Sequence, residues 1–227
     1  MIRLTLGSTG PLRILAIGAH PDDIEIGAGG FLMEILGSDR DLAVDWLVLS
    51  GDEVRADEAR ASARSIIGNR ADVRIEVATF RERYFPHQPG IKEHFDELGQ
   101  RPRPDIVLVP RREDRHQDHT VVAELAWQTF RDQLILEYEI PKFDGDLGQP
   151  NLFMPLSMET VERKIAHLIE AFPSQRDRPW FSADTFRAVL RLRGIESNAP
   201  SGFAEGFTAR KLTMTLDDRA PERGRPQ

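Results

Sequence analysis

RILAIGAHPDDIEIGAGGFLMEIL, residues 13–36, joins two periodicities in one stretch. RILAIGA (13–19) is a short, continuous apolar run of the kind that forms a strand covered on both faces. Phe31, Leu32, Ile35 and Leu36 then recur at helical spacing, so the stretch reads as strand, loop and helix. The loop carries His20, Asp22, Asp23 and Glu25, with Gly27, Gly29 and Gly30 close behind. These glycines match neither G-x-G-x-x-G placed directly after a strand nor a P-loop, and the acids would repel phosphate. They read instead as points where the helix approaches the sheet closely, and the acids and imidazole as candidate ligands of a divalent metal.

Outward from this stretch, LAVDWLVLS (42–50), DVRIEVATF (72–80) and DIVLVP (105–110) are further apolar runs of strand length, read as covered on both faces. Helical patterns separate them: Ala59, Ala63, Ile66 and Ile67, then Ile91, Phe95 and Leu98. After the fourth run comes a stripe of Val121, Val122, Leu125, Ala126, Thr129 and Phe130. The alternation predicts an α/β fold, a Rossmann-like parallel sheet with helices on both faces. LILEYEIP (134–141) predicts one more strand, followed by a loop, KFDGDLGQPN (142–151). Ser157 is placed to cap a helix carrying Val161, Ile165, Leu168 and Ile169, and another helix is expected over roughly 183–193. A single domain over 1–215 and a flexible tail over 216–227 are expected.

With 227 residues, 40% hydrophobic and 30% charged, the chain can bury one sizeable core. The net charge of −7 disfavours a nucleic-acid binder, which needs a basic face. Cysteine is absent, which excludes disulfides, thiolate metal sites and cysteine nucleophiles, so any metal must take nitrogen and oxygen ligands. No apolar run reaches the roughly 18–20 residues of a membrane span, and the opening MIRLTLGSTGPLRILAIG lacks the layout of a signal peptide. The cytoplasm is the expected compartment.

In such a sheet, ligands collect at the carboxyl ends of the strands. The loops after strands one, two and four carry HPDDIE, SGDEVRADE and RREDRHQDH, and are expected to share one crevice. An imidazole and a carboxylate from His20-Pro21-Asp22-Asp23, with an imidazole from His116-Gln117-Asp118-His119, would supply three ligands and leave a position open for water. Taken alone, each motif has a plainer reading: a polar turn in which Asp23 caps the next helix, or a helix start with Asp118 near its positive end. Their meeting at one sheet edge favours the metal. Arg55, with Glu58 three residues on, could equally be a solvated surface pair.

HPDDIEIGAGG, Arg55 and Glu58 in GDEVRADEARASARSIIG, and DRHQDH together resemble the LmbE-like or PIG-L-type de-N-acetylases, the N-acetylglucosaminylphosphatidylinositol deacetylase family. RGIESNAPSGFAEGF (193–207) is similar to that family's C-terminal portion. The resemblance implies one divalent metal per chain, usually zinc, and hydrolysis of an N-acyl group, commonly acetyl, on a glucosamine-like sugar. It implies His20, Asp23 and His119 as metal ligands, Asp22 as general base, His116 as the residue stabilising the oxyanion, and Arg55 lining the substrate site. Asp118 is expected to orient His116 and keep it charged. The implied partner is a small amino sugar or glycoconjugate, and the implied assembly a homo-oligomer.

Glu25 is expected to be a helix N-terminal charge, Glu205 to reach a substrate hydroxyl or dock the C-terminal segment, and His87, His94 and His167 to be ordinary surface or helix residues. The polar residues of the segment after 130, among them Tyr138, Glu139, Lys142, Asp144, Asp146 and Asn151, suit a sugar-like ligand. Two alternatives stay open: a catalytically silent Rossmann-like module binding a sugar or nucleotide, and a metal-dependent phosphoesterase. Asp22 argues against the silent module, because binding metal needs only Asp23. The phosphoesterase would call for a second metal and further carboxylates.

Overall fold

A computed structural model describes residues 3–6, 11–69 and 72–214 of the chain. The tail expected over 216–227 lies outside the described residues. The elements run β1 (Leu12–Gly18), α1 (Asp23–Leu36), β2 (Leu42–Ser50), α2 (Glu53–Ile67), β3 (Asp72–Phe80), α3 (Pro89–Leu98), β4 (Ile106–Pro110) and α4 (Gln117–Thr129). They continue with β5 (Leu134–Tyr138), β6 (Leu152–Pro155), α5 (Met158–Ala171), α6 (Ala183–Ser197) and β7 (Ala204–Ala209).

One sheet has the order β3-β2-β1-β4-β5-β7-β6. Its first five strands pair in parallel, as expected; β7 pairs antiparallel with β5 and β6 antiparallel with β7. The last two strands are not foreseen by the sequence patterns. LFMP is apolar but only four residues long and AEGFTA is of mixed polarity; they pair through an antiparallel backbone ladder, which Asn151 closes with two bonds to Ala209.

Alternate residues of each central strand enter different cores. Ile14, Ala16, Val44, Trp46, Ile106 and Leu108 face α1, α2, α5 and α6. Leu15, Ile17, Leu47, Leu49, Val107 and Val109 face α3 and α4. Both sides of β1, β2 and β4 are therefore covered. DVRIEVATF departs from the expectation of two covered faces: β3 is an edge strand and half exposed, with Val73 at 38%.

The chain leaves β1 toward one face and β4 toward the other, so the order reverses between these neighbours and opens a crevice at their carboxyl ends. Gly27 and Gly30 bring α1 down on the sheet, whereas Gly29, against expectation, has no close neighbour. A Cβ on Gly27 would lie 2.1 Å from the Tyr138 ring, and one on Gly30 would strike Leu156 and Glu205. Midway along α1, the backbone N–H groups of Gly30 and Phe31 donate to the Glu205 carboxylate, at 2.7 and 2.6 Å, and Lys164 Nζ donates to Ile26 O at 2.6 Å. Lys164 and Glu205 also pair with each other, both nearly fully buried. Glu205 is thus a staple between α1 and β7.

Candidate metal centre

The loop from β1 to α1 turns sharply at Asp22, whose φ of 95° is left-handed, a conformation costing about 1–3 kcal/mol in a non-glycine residue. That turn sends Asp22 and Asp23 in different directions. Asp23 folds back, and its Oδ2 accepts the backbone N–H of Ala19 and His20, both at 2.9 Å. Asp22 is 4% exposed, and its Oδ2 has no hydrogen-bond partner. His116 caps α4, its Nδ1 accepting the Asp118 N–H at 3.2 Å, and places His119 in the first turn.

Three atoms from these loops converge. His20 Nδ1 lies 3.2 Å from His119 Nε2, Asp23 Oδ2 lies 3.3 Å from His119 Nε2, and Asp23 Oδ2 lies 3.6 Å from His20 Nδ1. Ligands about 2.0–2.1 Å from a tetrahedral zinc are separated by roughly 3.3 Å, so these atoms have the spacing of three corners of such a site. The nitrogens on the far sides of both rings face carboxylates: His20 Nε2 is 3.1 Å from Asp118 Oδ2, and His119 Nδ1 is 3.0 Å from Asp114 Oδ2. Carboxylates behind metal-binding imidazoles fix tautomer and ring orientation. The donor set, two imidazoles and a carboxylate without thiolate, suits zinc or a similar divalent ion.

Electrostatics point the same way. Burial works against charge on His119, yet the nearby carboxylates of Asp23 and Asp114 raise its pKa to about 10. Burial likewise opposes charge on His20, but Asp118 and Asp23 hold it above its ordinary value. Asp23, despite burial, is held well below the carboxylate range by the charge and hydrogen bond of His119 and by His20. The pocket favours positive charge at its centre. Asp22 behaves oppositely: burial and then the neighbouring Asp23 charge push its pKa well above the ordinary value, with Arg55 opposing.

His116 completes the cluster. Its ring centroid lies 4.7 Å from that of His20 and 4.8 Å from that of His119, and one nitrogen from each of the three rings falls within 4.8 Å of the others. Burial, followed by the charges of His20 and His119, lowers its pKa to about 4. The expectation that Asp118 orients and charges His116 therefore does not hold. The Asp118 carboxylate points away, to His20 Nε2 and to the N–H groups of Arg83 at 2.5 Å and Phe85 at 3.2 Å. His116 meets Asp118 through its backbone alone, at a helix N-terminus that disfavours an imidazolium.

Arg55, at the start of α2, spans the HPDD turn. It bonds Glu82 and the Pro21 carbonyl, the latter at 3.2 Å, and approaches Asp22 Oδ1 at 4.0 Å. Glu58 is not its partner and holds Ser174 instead, by N–H at 3.0 Å and by hydroxyl. The crevice thus includes the loop after β3, which supplies Glu82 and the Arg83 and Phe85 N–H groups and which sequence reading overlooked. Asp114 was also overlooked, although the alternation Asp114, His116, Asp118 in RREDRHQDH was a usable signal.

Glu25 is buried rather than a simple helix-end charge. It bonds Ser62, which also lies 2.8 Å from His167 Nε2. Glu205, in the staple, does not reach the crevice. Of the residues expected to grip a sugar, Lys142 pairs with Asp146 and Asp114, Glu139 with Arg193 and Asn151 with Ala209, and Tyr138 is buried in the core. Among the described residues, no helix is long and apolar enough to cross a membrane.

The fold recurs in solved structures of low identity. A conserved protein of Thermus thermophilus superposes with a TM-score of 0.69 at 19% identity, over 92% of this chain and 99% of that one. N,N'-diacetylchitobiose deacetylase from Pyrococcus horikoshii gives 0.66 at 19%, over 87% and 83%. GalB, the 4-carboxy-2-hydroxymuconate hydratase of Pseudomonas putida, gives 0.70 at 17%, over 91% and 100%. At these identities the likeness is one of fold. The family is decided by sequence: residues 15–130, which hold HPDD, the Arg55 segment and HQDH, match the PIG-L model of GlcNAc-PI de-N-acetylases, and the chain belongs to that family.

Proposed function

We propose that the chain is a zinc-dependent deacetylase that hydrolyses the N-acetyl group of an amino sugar or sugar conjugate, with His20, Asp23 and His119 as the ligands. The observation that carries this reading is the triangle of His20 Nδ1, Asp23 Oδ2 and His119 Nε2, with an unpartnered Asp22 oxygen on the adjoining residue. Bound there, zinc would supply an activated water near neutral pH and a positive charge for the acyl oxygen.

The rest falls to the chain's own side chains. Asp22 Oδ2, free of any hydrogen bond, takes the proton of the attacking water and returns it to the departing amine. Arg55, anchored by Glu82 and Pro21 O, keeps that carboxylate in place and lines the entrance. His116, whose Nδ1 is engaged by a backbone N–H, offers Nε2–H as a neutral donor to the oxygen on which charge develops. The sugar assignment draws on the family's description and on the deacetylases among its structural relatives.

The test pairs metal analysis of the purified protein with an assay of acetate and free amine over N-acetylated sugars, nucleotide sugars and glycosides. About one zinc per chain, turnover on a panel member, and an Asp22→Asn variant that keeps zinc but loses turnover are expected. An active Asp22→Asn enzyme would remove Asp22 as the base. Zinc-loaded protein that releases no amine from any amide would favour another reaction on the same fold.

A further inference from the structure

The segment after β5 is strapped across the loop that carries HQDH. Lys142 Nζ lies 2.8 Å from Asp114 Oδ2 and 2.9 Å from both oxygens of Asp146. All three side chains are shielded, at 9%, 3% and 5% exposure for Lys142, Asp114 and Asp146. Asp146 Oδ2 accepts the Arg115 N–H at 2.7 Å, and Arg111 reaches the Asp146 carbonyl. Further along, Gly148 is held on both backbone sides, its N–H donating to Glu139 Oε1 at 2.9 Å and its carbonyl accepting from Arg193 at 3.0 Å.

Asp114 joins this strap to the centre. One of its oxygens accepts the His116 N–H at 2.7 Å, and the other, shared with Lys142, faces His119 Nδ1 at 3.0 Å. A shielded ammonium between two carboxylates fixes both at once. Without it, Asp114 and Asp146 would converge with no cation between them, and Asp146 would be free to swing away from Asp114.

We propose that Lys142 is a positioning residue of the metal centre: by clamping Asp114 to Asp146 it holds His119 in its metal-binding orientation and couples the placement of segment 142–148 to metal affinity. This rests on the reading of His119 as a ligand. The coupling is reciprocal, so zinc must in turn tighten the strap.

The experiment measures zinc affinity by competition with a chromophoric chelator for the wild type, Lys142→Met, Lys142→Arg, Asp146→Asn and His119→Ala. Amide hydrogen exchange of segment 142–148 is followed with and without zinc. Outer partners of metal-binding histidines are worth about 10–100-fold in affinity, so Lys142→Met should weaken zinc roughly tenfold, with Lys142→Arg restoring most of the loss. Zinc should slow exchange of the segment in the wild type and not in Lys142→Met. If Lys142→Met does not fold, the near-isosteric Asp146→Asn decides: weaker zinc supports the clamp, and unchanged affinity overturns it.

Zinc affinity within twofold of wild type in a folded Lys142→Met, with affinity lost in His119→Ala, would overturn the clamp and leave the ligand assignment intact. Undiminished affinity in His119→Ala would overturn both.

Discussion

Gly27 and Gly29 sit two residues apart in the same helix, and alanine at the two sites should act with opposite sign. A Cβ on Gly29 meets only the Lys164 methylenes, at 3.9 Å, an ordinary contact. Gly29→Ala should therefore gain the helix-interior advantage of alanine over glycine, about 0.5–1 kcal/mol. A Cβ on Gly27 would lie 2.1, 2.5 and 2.9 Å from Cδ2, Cγ and Cβ of Tyr138. Carbon contacts need roughly 3.5 Å, so the ring or the helix must retreat by more than about 1 Å. Tyr138 has nowhere to go: it is fully buried, and its hydroxyl donates to Ile17 O at 2.7 Å. Overpacking costs about 1–3 kcal/mol and a lost hydrogen bond about 1 more, which leaves Gly27→Ala roughly 2–3 kcal/mol below wild type after the helical gain. The variants should thus differ by about 3 kcal/mol, or about 10 °C in Tm for a chain of this size. Urea and thermal unfolding of the zinc-free proteins measure this. Equal stability of the two variants would refute the view that Gly27, unlike Gly29, serves close packing of α1 on the sheet.

Asp118→Asn should weaken zinc binding about 10–100-fold, since it removes the carboxylate behind His20; chelator competition reads this, with no effect expected if Asp118 served His116 instead. Lys164→Met should cost about 3–5 kcal/mol in urea unfolding, because it strands the buried Glu205 carboxylate, and Glu205→Gln in the same chain should recover part of the loss. Burial lowers the His167 pKa below its ordinary value, so folding favours the neutral ring. That contribution is complete above the unfolded value near 6.5 and is lost as pH falls toward the folded value; His167→Gln should flatten stability against pH between about 7 and 5.

Much of the fold could be read from local periodicity. Five parallel strands and the helices between them follow from apolar runs and stripes, because in a two-sided sheet burial depends on each residue's own character. The caps at Ser157 and Ser182 depend on three residues of local chain, and the first of them is legible directly. β6 and β7 were not legible, since an apolar run of only four residues and a six-residue stretch of mixed polarity become strands only by pairing with each other and with β5.

In the site, residue types and strand-end positions sufficed to bring HPDD and HQDH to one crevice, since strand order alone carries two loops to the same sheet edge. Which charged group faces which was another matter. Asp118 reaches His20, 98 positions away, rather than its neighbour His116; Glu58 leaves Arg55 for Ser174; and Lys142, apt for a sugar by composition, binds Asp114 and Asp146 instead. A side chain's polarity is local, so sequence can state it. Its partner is set by angles and distances of a few tenths of an ångström between segments far apart in the chain, and those exist only once the sheet and both helical layers have packed.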